Sequence, residues 1–390
     1  MFDFFCIISK GNIYGIYAIK KNSSYSYLKN IPFSEENYSG INFSLCLLKH
    51  INQNIPYYFQ RDDIHIFILG NIFSNRKFKE EYSVSKQIFP EDIFDLYKKE
   101  GVFLTNFIKG IYLLLIFNEK VNEYNVFTSR SGLLDSYYFK GEDYLIISSS
   151  LENIFKNPLC KTNIDEVALI QQHIYDYPLG NRTLFENISV INPASVLEYD
   201  LNRIIVKAYY DYKNPLDKIG TLSWEEVKKL APEIFNNTLG LLLNNQERIC
   251  SALTSGFDSR ANLSYLLNSG KDILYYSWGM PGSIELKIPI KIAKKLHFNY
   301  KSILLSHDFE EKYDYFAKQA ILWSDGRGTI RRANHTYSYS ILSKYSRFII
   351  TGLMGSELIR PTNAVDHIFN PKFIDAFYSD DPANEIIIHF

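Results

Sequence analysis

The chain has 390 residues, more than one average domain and enough for two of about 200 residues, each with its own core. A formal net charge of -1, with 46% hydrophobic and 22% charged residues, describes a globular protein with no global field to draw in nucleic acid or an acidic membrane. Cys6, Cys46, Cys160 and Cys250 are scattered without a close pair, which argues against a zinc knuckle or a disulfide framework and fits a reducing compartment. The eight histidines show no metal-ligand spacing. The apolar start, Met1 to Ile8, lacks a basic leader and a cleavage site, and the greasiest run, Ile111 to Phe117, is too short to span a bilayer. The expectation is a soluble cytoplasmic protein with no nucleic-acid or membrane partner.

In chain order, residues 1 to 211 read as strand-rich: Phe4 to Ile8, Ile13 to Ile19, Ile64 to Leu69, Ile111 to Phe117, Tyr124 to Thr128, Leu145 to Ser149 and Val196 to Tyr199. Two helical patterns interrupt them, Glu91 to Lys99 ended by Gly101, and Asp165 to Tyr175 capped by Asn163 or Asp165. This predicts a layered α+β domain. A polar linker over 212 to 222 holds Asn214-Pro215 and Gly220, and Ser223 with Glu226 forms a capping box that opens the second domain, 223 to 390.

From there helix and strand alternate: helix 224 to 243 with a disturbance at Pro232, strand 248 to 253, helix 259 to 268, strand 273 to 278, helix 284 to 296, strand 300 to 305, helices between 308 and 343, strand 347 to 351. Such alternation builds a parallel sheet with helices on both faces. Ligands of such sheets sit beyond the carboxyl ends of the strands. Three small-residue loops fall there: Thr254-Ser255-Gly256-Phe257-Asp258-Ser259, Trp278-Gly279-Met280-Pro281-Gly282-Ser283, and Thr351-Gly352-Leu353-Met354-Gly355-Ser356-Glu357.

The first of these is the most informative stretch of the chain. A helix start leaves backbone N–H groups unpaired at the positive end of the macrodipole and attracts an anion. Small residues let the backbone approach phosphates, and the hydroxyls of Thr254, Ser255 and Ser259 add donors. Asp258 would repel a bare phosphate, which implies a metal between them. An ordinary capped strand-to-helix turn is the plainer reading of the string alone. Convergence of three unusual loops favours a nucleotide.

These residues resemble the asparagine synthetase family, whose ATP-binding half opens with Ser-Gly-Gly-x-Asp-Ser at such a turn; Gly256, Asp258 and Ser259 match, and Thr254 and Ser255 replace its Ser and first Gly. Ser324-Asp325 with Thr329-Ile330-Arg331 resembles the segment lining the family's acceptor pocket. Thr351-Gly352 to Glu357-Leu358 resembles Ser-Gly-Glu-Gly-Ala-Asp-Glu-Leu, with Leu353 and Ser356 where acids would stand. In the first domain, Gly70-Asn71-Ile72-Phe73, Lys109-Gly110-Ile111-Tyr112, Ser129-Arg130-Ser131-Gly132, Ser148-Ser149-Ser150 and Ile191-Asn192-Pro193 follow in the order of the family's glutaminase domain.

The resemblance implies an Ntn-hydrolase-like α+β sandwich followed by a Rossmann-like α/β domain of the ATP-pyrophosphatase, HUP type. It implies an ATP-dependent amidoligase of the asparagine synthase kind: ATP adenylates a small-molecule or peptide carboxylate, pyrophosphate leaves, and an amine displaces AMP. The nucleotide would lie on Leu253, Thr254, Ser255, Gly256, Asp258, Ser259, Trp278, Gly279 and Gly352. Asp258 and Glu357 would carry Mg²⁺, and Asp325 with Arg331 would face the acceptor. Arg260 reads equally as a phosphate contact or a solvated helix charge.

Two departures qualify this. Glutamine hydrolysis needs a cysteine directly after the initiator Met, with its own α-amino group as base, and position 2 is Phe2. The Asn expected before Gly70 to hold the oxyanion is Leu69. Both predict an inactive glutaminase half, with Cys6 a small buried strand residue. Family members also continue past the point where this chain stops, so the resemblance implies a fragment or a separately encoded C-terminal piece, with a homodimer as the other expected partner. The rival from another class is a non-catalytic nucleotide-binding or interaction protein.

Overall fold

The computed structural model describes residues 2–10, 33–50, 57–74, 87–211, 222–243, 246, 248–346 and 348–352. The chain divides into two compact units, Met1–Thr221 and Leu222–Phe390.

The first unit is built from two antiparallel sheets. One holds β1 (Phe2–Ser9), β2 (Phe33–Ser39), β3 (Phe43–His50), β9 (Tyr137–Lys140), β10 (Tyr144–Ser148) and β11 (Ile188–Val190) in the order β11-β9-β10-β1-β3-β2. The other runs β13-β12-β8-β7-β5-β4, with β6 on β5. Its strands are β4 (Tyr58–Arg61), β5 (Ile64–Ser74), β6 (Gln87–Ile88), β7 (Ile108–Asn118), β8 (Glu123–Thr128), β12 (Ser195–Tyr199) and β13 (Ile204–Ala208).

Pleating sends Leu113, Leu115 and Phe117 of β7 inward against Phe4, Cys6 and Ile8 of β1, and Tyr112, Leu114 and Ile116 outward onto Ile93 and Phe94 of α1 (Pro90–Glu100). A strand covered on both faces reads as a continuous apolar run, which is why 111 to 117 is the greasiest stretch. Leu151 and Ile154 of α2 (Leu151–Phe155) cover the outer face of the first sheet with Phe5 and Ile7. The order of layers is helix, sheet, sheet, helix.

Sequence expectation and structure agree on β1, β5, β7, β8, β10 and β12, whereas β3, eight residues long, is not among the expected strands. The strand expected over Ile13 to Ile19 lies outside the described residues. The short strands β4, β9, β11 and β13 carry too few alternating positions to stand out, and β2 is polar along its length. Of the two caps weighed for α3 (Glu166–Tyr175), the chain uses Asp165, whose carboxylate accepts the Ala168 N–H at 3.0 Å.

The second unit opens with α4 (Trp224–Leu243), which runs on through Pro232. Its capping box is formed: the Ser223 N–H donates to Glu226 Oε2 at 2.8 Å, and the Glu226 N–H to Ser223 Oγ at 3.3 Å. Then follow β14 (Arg248–Ala252), α5 (Phe257–Leu266), β15 (Asp272–Gly279), α6 (Ile284–Leu296) and β16 (Tyr300–Leu304). After them come α7 (His307–Glu310), α8 (Tyr313–Trp323), α9 (Ala333–Leu342) and β17 (Ile349–Ile350). The sheet is parallel throughout, in the order β16-β15-β14-β17. Leu263 and Leu266 of α5 pack one face with Ile249 and Ile273, and Leu342 of α9 packs the other with Cys250, Tyr276 and Ile303. The alternating sheet expected from the sequence is therefore present.

Candidate functional site

β14 ends at Ala252, and the next residues form a turn that is bonded to itself. The Thr254 N–H donates to Ser259 Oγ at 2.9 Å, the two hydroxyls lie 3.0 Å apart, and the Gly256 N–H donates to Thr254 Oγ1 at 3.1 Å. Ser259 is buried. Its hydroxyl therefore helps to hold the turn. Gly256 is the N-cap of α5 and no side chain caps it, so the first N–H groups of the helix keep their positive field for an anion. Asp258 stands half-buried in that first turn. Arg260, on the same turn, makes local contacts. Its Nε donates to Gly256 O at 3.2 Å and its guanidinium lies 4.4 Å from the centre of the Phe257 ring.

The neighbouring strand ends are tied to this turn. The Leu253 N–H donates to Tyr276 O at 2.8 Å, and the Ser277 hydroxyl donates to Leu253 O while accepting from Tyr300 OH at 3.0 Å. On the other side, Asn262 Nδ2 donates to Thr351 O at 3.1 Å. Gly352 then lies so close that a Cβ there would sit 3.0 Å from Ser259 N and 3.2 Å from Asp258 Cβ. Turn 254–259 and residues 351–352 thus share one corner of the sheet.

Trp278 is half-buried among aromatic rings. Its ring stacks on Tyr276 at 5.8 Å and meets His335 edge-on at 4.9 Å and Tyr339 at 6.4 Å, under α9. Burial, followed by the nearby Arg332 charge, holds His335 below the usual histidine range. Gly279 is buried, with its virtual Cβ 2.8 Å from Ser283 Oγ. Asp325 is placed by a different device, a helix-ending turn: φ is +50°, Ser324 Oγ donates to Ala320 O at 2.8 Å, and the Gly328 N–H donates to Ser324 Oγ at 2.9 Å. Arg331 is exposed on the short 3₁₀ turn Ile330–Arg332. Glu357, Leu353 and Ser356 lie outside the described residues.

Asn262 and Tyr300 are absent from the sequence reading of this corner. For Asn262 a signal exists: it is a polar residue beside Leu263 and Leu266 on the buried face of α5.

In the first unit, Cys6 is fully buried between β3 and β10, opposite Leu45 and Ile147, and burial pushes its thiol far above the ordinary range. Leu69 is buried in the core between the sheets. Beside it β5 and β7 approach unusually closely. Gly70 (φ +103°) and Gly110 (φ +136°) would each bring a Cβ within 2.2 Å of a carbonyl oxygen on the facing strand, that of Ile111 and that of Asn71. The start of β1 is clasped by two serines: the Phe4 N–H donates to Ser149 Oγ at 2.9 Å, and Ser148 Oγ donates to Phe4 O at 2.6 Å. Arg130 stacks over Tyr210 at 4.0 Å, and the Gly132 Cβ position abuts Pro193. The motifs that follow one another in the sequence therefore meet in pairs.

Residues 44–210 match the family model described as a glutamine amidotransferase domain, and the first unit is an amidotransferase domain of the asparagine synthase-like kind. Among individual proteins, the chain is similar to "Asparagine synthetase [glutamine-hydrolyzing] 2" of Bacillus subtilis (strain 168), 21% identical over 297 residues. That match takes in 72% of this chain and 39% of the relative, so the chain spans about two fifths of the length of the protein it matches. Among solved structures, the B. subtilis glutamine phosphoribosylpyrophosphate amidotransferase complexed with ADP and GMP aligns at a TM-score of 0.31 and 9% identity, over 80% of this chain and 70% of that one. A structure described as the allosteric regulatory enzyme of purine biosynthesis aligns at 0.26 and 10% identity, over 70% and 58%. Likenesses this loose fix neither fold nor chemistry. Among the described residues no helix is long and apolar enough to cross a membrane.

Proposed function

We propose that the chain is an asparagine synthase-like, ATP-dependent amidoligase whose first unit does not hydrolyse glutamine. The observation that carries this reading is the corner where turn 254–259, the end of β15 and Thr351-Gly352 meet beyond the carboxyl ends of a parallel sheet. On this reading the second unit is a Rossmann-like domain of the ATP-pyrophosphatase, HUP type. The similarity to an asparagine synthetase supports the choice of reaction among those a nucleotide corner can host.

The N–H groups at the start of α5 and the Ser255 hydroxyl would hold the phosphates. A carboxylate oxygen of the acid attacks the α-phosphorus as the bond to pyrophosphate breaks. The amine nitrogen then attacks the acyl carbon, and AMP leaves with the C–O electron pair while the nitrogen loses a proton. Mg²⁺ would be held by Asp258 together with substrate phosphates, because that ion is usually held by one or two carboxylates along with such phosphates. Among the described residues no cluster of three or more His, Cys, Asp or Glu side chains offers a protein-only cage. When bound, the ion would neutralise charge developing on the pyrophosphate. Glu357 remains the proposed second ligand. Asp325 and Arg331 are the proposed acceptor contacts, and Trp278 with Gly279 the proposed border of the nucleoside.

ATP–pyrophosphate exchange with aspartate and a panel of other acids tests this. Exchange that depends on one acid and falls about 100-fold or more in Asp258→Ala is the expected result. No exchange and no ATP binding in the parent would refute it in favour of a non-catalytic interaction protein. Glutamine should yield no glutamate under any condition.

A further inference from the structure

Besides its motif residues, the corner holds a side chain that belongs to neither loop and joins both. Asn262 is on the buried face of α5, one turn after Asp258, and is only 7% exposed. Its amide Nδ2 donates to the main-chain oxygen of Thr351 at 3.1 Å, just after β17 ends at Ile350. The next residue, Gly352, is thereby held against the helix start so closely that a Cβ would come within 3.0 Å of Ser259 N, 3.2 Å of Asp258 Cβ and 3.3 Å of the Asp258 carbonyl carbon. β17 needs such a tie. It is two residues long and pairs with β14 only at Cys250–Ile349 and Ser251–Ile350, so the ladder alone fixes little beyond Ile350.

We infer that Asn262 is a positioning residue that staples the exit of β17 to the nucleotide turn and sets the separation between Gly352 and Asp258. This rests on the nucleotide reading for its functional half and on geometry alone for its structural half. The amide is suited to the task because it donates to a carbonyl without bringing a charge beside Asp258. A leucine has the same branched shape with no donor. An aspartate keeps the shape and, ionised, turns an acceptor toward an acceptor.

Asn262→Leu and Asn262→Asp in the full chain test both halves. Amide exchange is read in the absence of nucleotide, in the peptide holding Ile350, Thr351 and Gly352. It should accelerate about tenfold in both variants, the effect of one lost hydrogen bond to a part-buried carbonyl, while β14 and β15 keep their protection. The Kd for MgATP should rise about tenfold with the exchange rate, whereas Ser264→Ala, on the exposed side of α5, should move neither. Unchanged exchange in both variants overturns the staple. Faster exchange with an unaltered MgATP Kd overturns the positioning role. A parent chain that binds no MgATP overturns the nucleotide reading, and the exchange result then decides the staple by itself.

Discussion

Gly110→Ala should strongly destabilise the first unit. Gly110 has φ +136°, and the Cβ that alanine adds would stand 2.2 Å from the Asn71 carbonyl oxygen, 3.2 Å from its carbon and 3.4 Å from Ile72 Cα. These are backbone atoms of β5 locked in the ladder opposite Gly110, so no side chain can swing aside. The strained backbone costs about 1–3 kcal/mol and the forced separation of the strands about 1–3 kcal/mol, or about 4 kcal/mol together at mid-range. Gly180→Ala is the control, with φ +66° but nothing within 4 Å of the added Cβ; strain alone predicts about 1 kcal/mol. At a urea slope near 3 kcal/mol per molar, the two midpoints should differ by about 1 M. Mass-spectrometric labelling of the Cys6 and Cys46 thiols, both buried in this unit, follows its unfolding. The fluorescence of Trp224, Trp278 and Trp323 follows the second unit and should not move. Coincident thiol midpoints for the two variants would refute the reasoning.

Leu69→Asn, which restores the residue type expected before Gly70, should produce no glutamate from glutamine in a coupled assay; it should cost about 3 kcal/mol by the thiol-labelling midpoint, since an amide replaces a core side chain. His65 gives a pH dependence. It is 4% exposed, with Nε2 3.3 Å from Glu119 Oε2 and Nδ1 3.1 Å from Tyr58 OH. Burial lowers its pKa below the ordinary 6.5, outweighing the opposite pull of Glu119 and Asp63. The unfolded chain thus takes up a proton first: this contribution is intact above about pH 6.5 and is lost as the pH falls toward the folded value. Thiol-labelling midpoints should therefore fall between pH 7.5 and 5.5 more steeply in the parent than in His65→Gln, and parallel slopes would count against the assignment.

The sequence exposed the second unit more fully than the first, for a physical reason. Its elements are long and local: α4 and α6 match their expected spans over 224 to 243 and 284 to 296. The parallel order follows from alternation, because a parallel pair must be joined by a crossover. In the first unit the legible strands were the largely buried apolar runs, β1, β5, β7, β8, β10 and β12. β9 and β11 are held by pairing with each other, information that resides in tertiary contact and not in four residues of pattern. At the site, Thr254 to Ser259 was legible because the turn is contiguous. Ser277 with Tyr300 and Asn262 with Thr351 were not, since each joins residues 23 or 89 positions apart.

The departure of the turn from Ser-Gly-Gly also has a structural account. Gly256 adopts φ -74° and ψ 158°, an extended conformation open to any residue, and neither Thr254 nor Ser255 is among the residues with positive φ. No left-handed backbone is demanded where the resemblance expects the first glycine, so Ser255 carries no conformational penalty. Thr254 keeps the hydroxyl of the residue it replaces, and that hydroxyl accepts the Gly256 N–H. At Gly256 itself the limit is contact, since a Cβ there would stand 3.2 Å from Thr254 Oγ1. The turn therefore rests on the hydroxyl at 254 and the buried Ser259, is tight at 256, and tolerates change at 255. The opposite holds at Leu69, where the side chain faces the core between the sheets. An apolar residue at 69 packs the scaffold and offers no side-chain donor, so the proposed loss of glutamine hydrolysis would leave the fold of the unit intact.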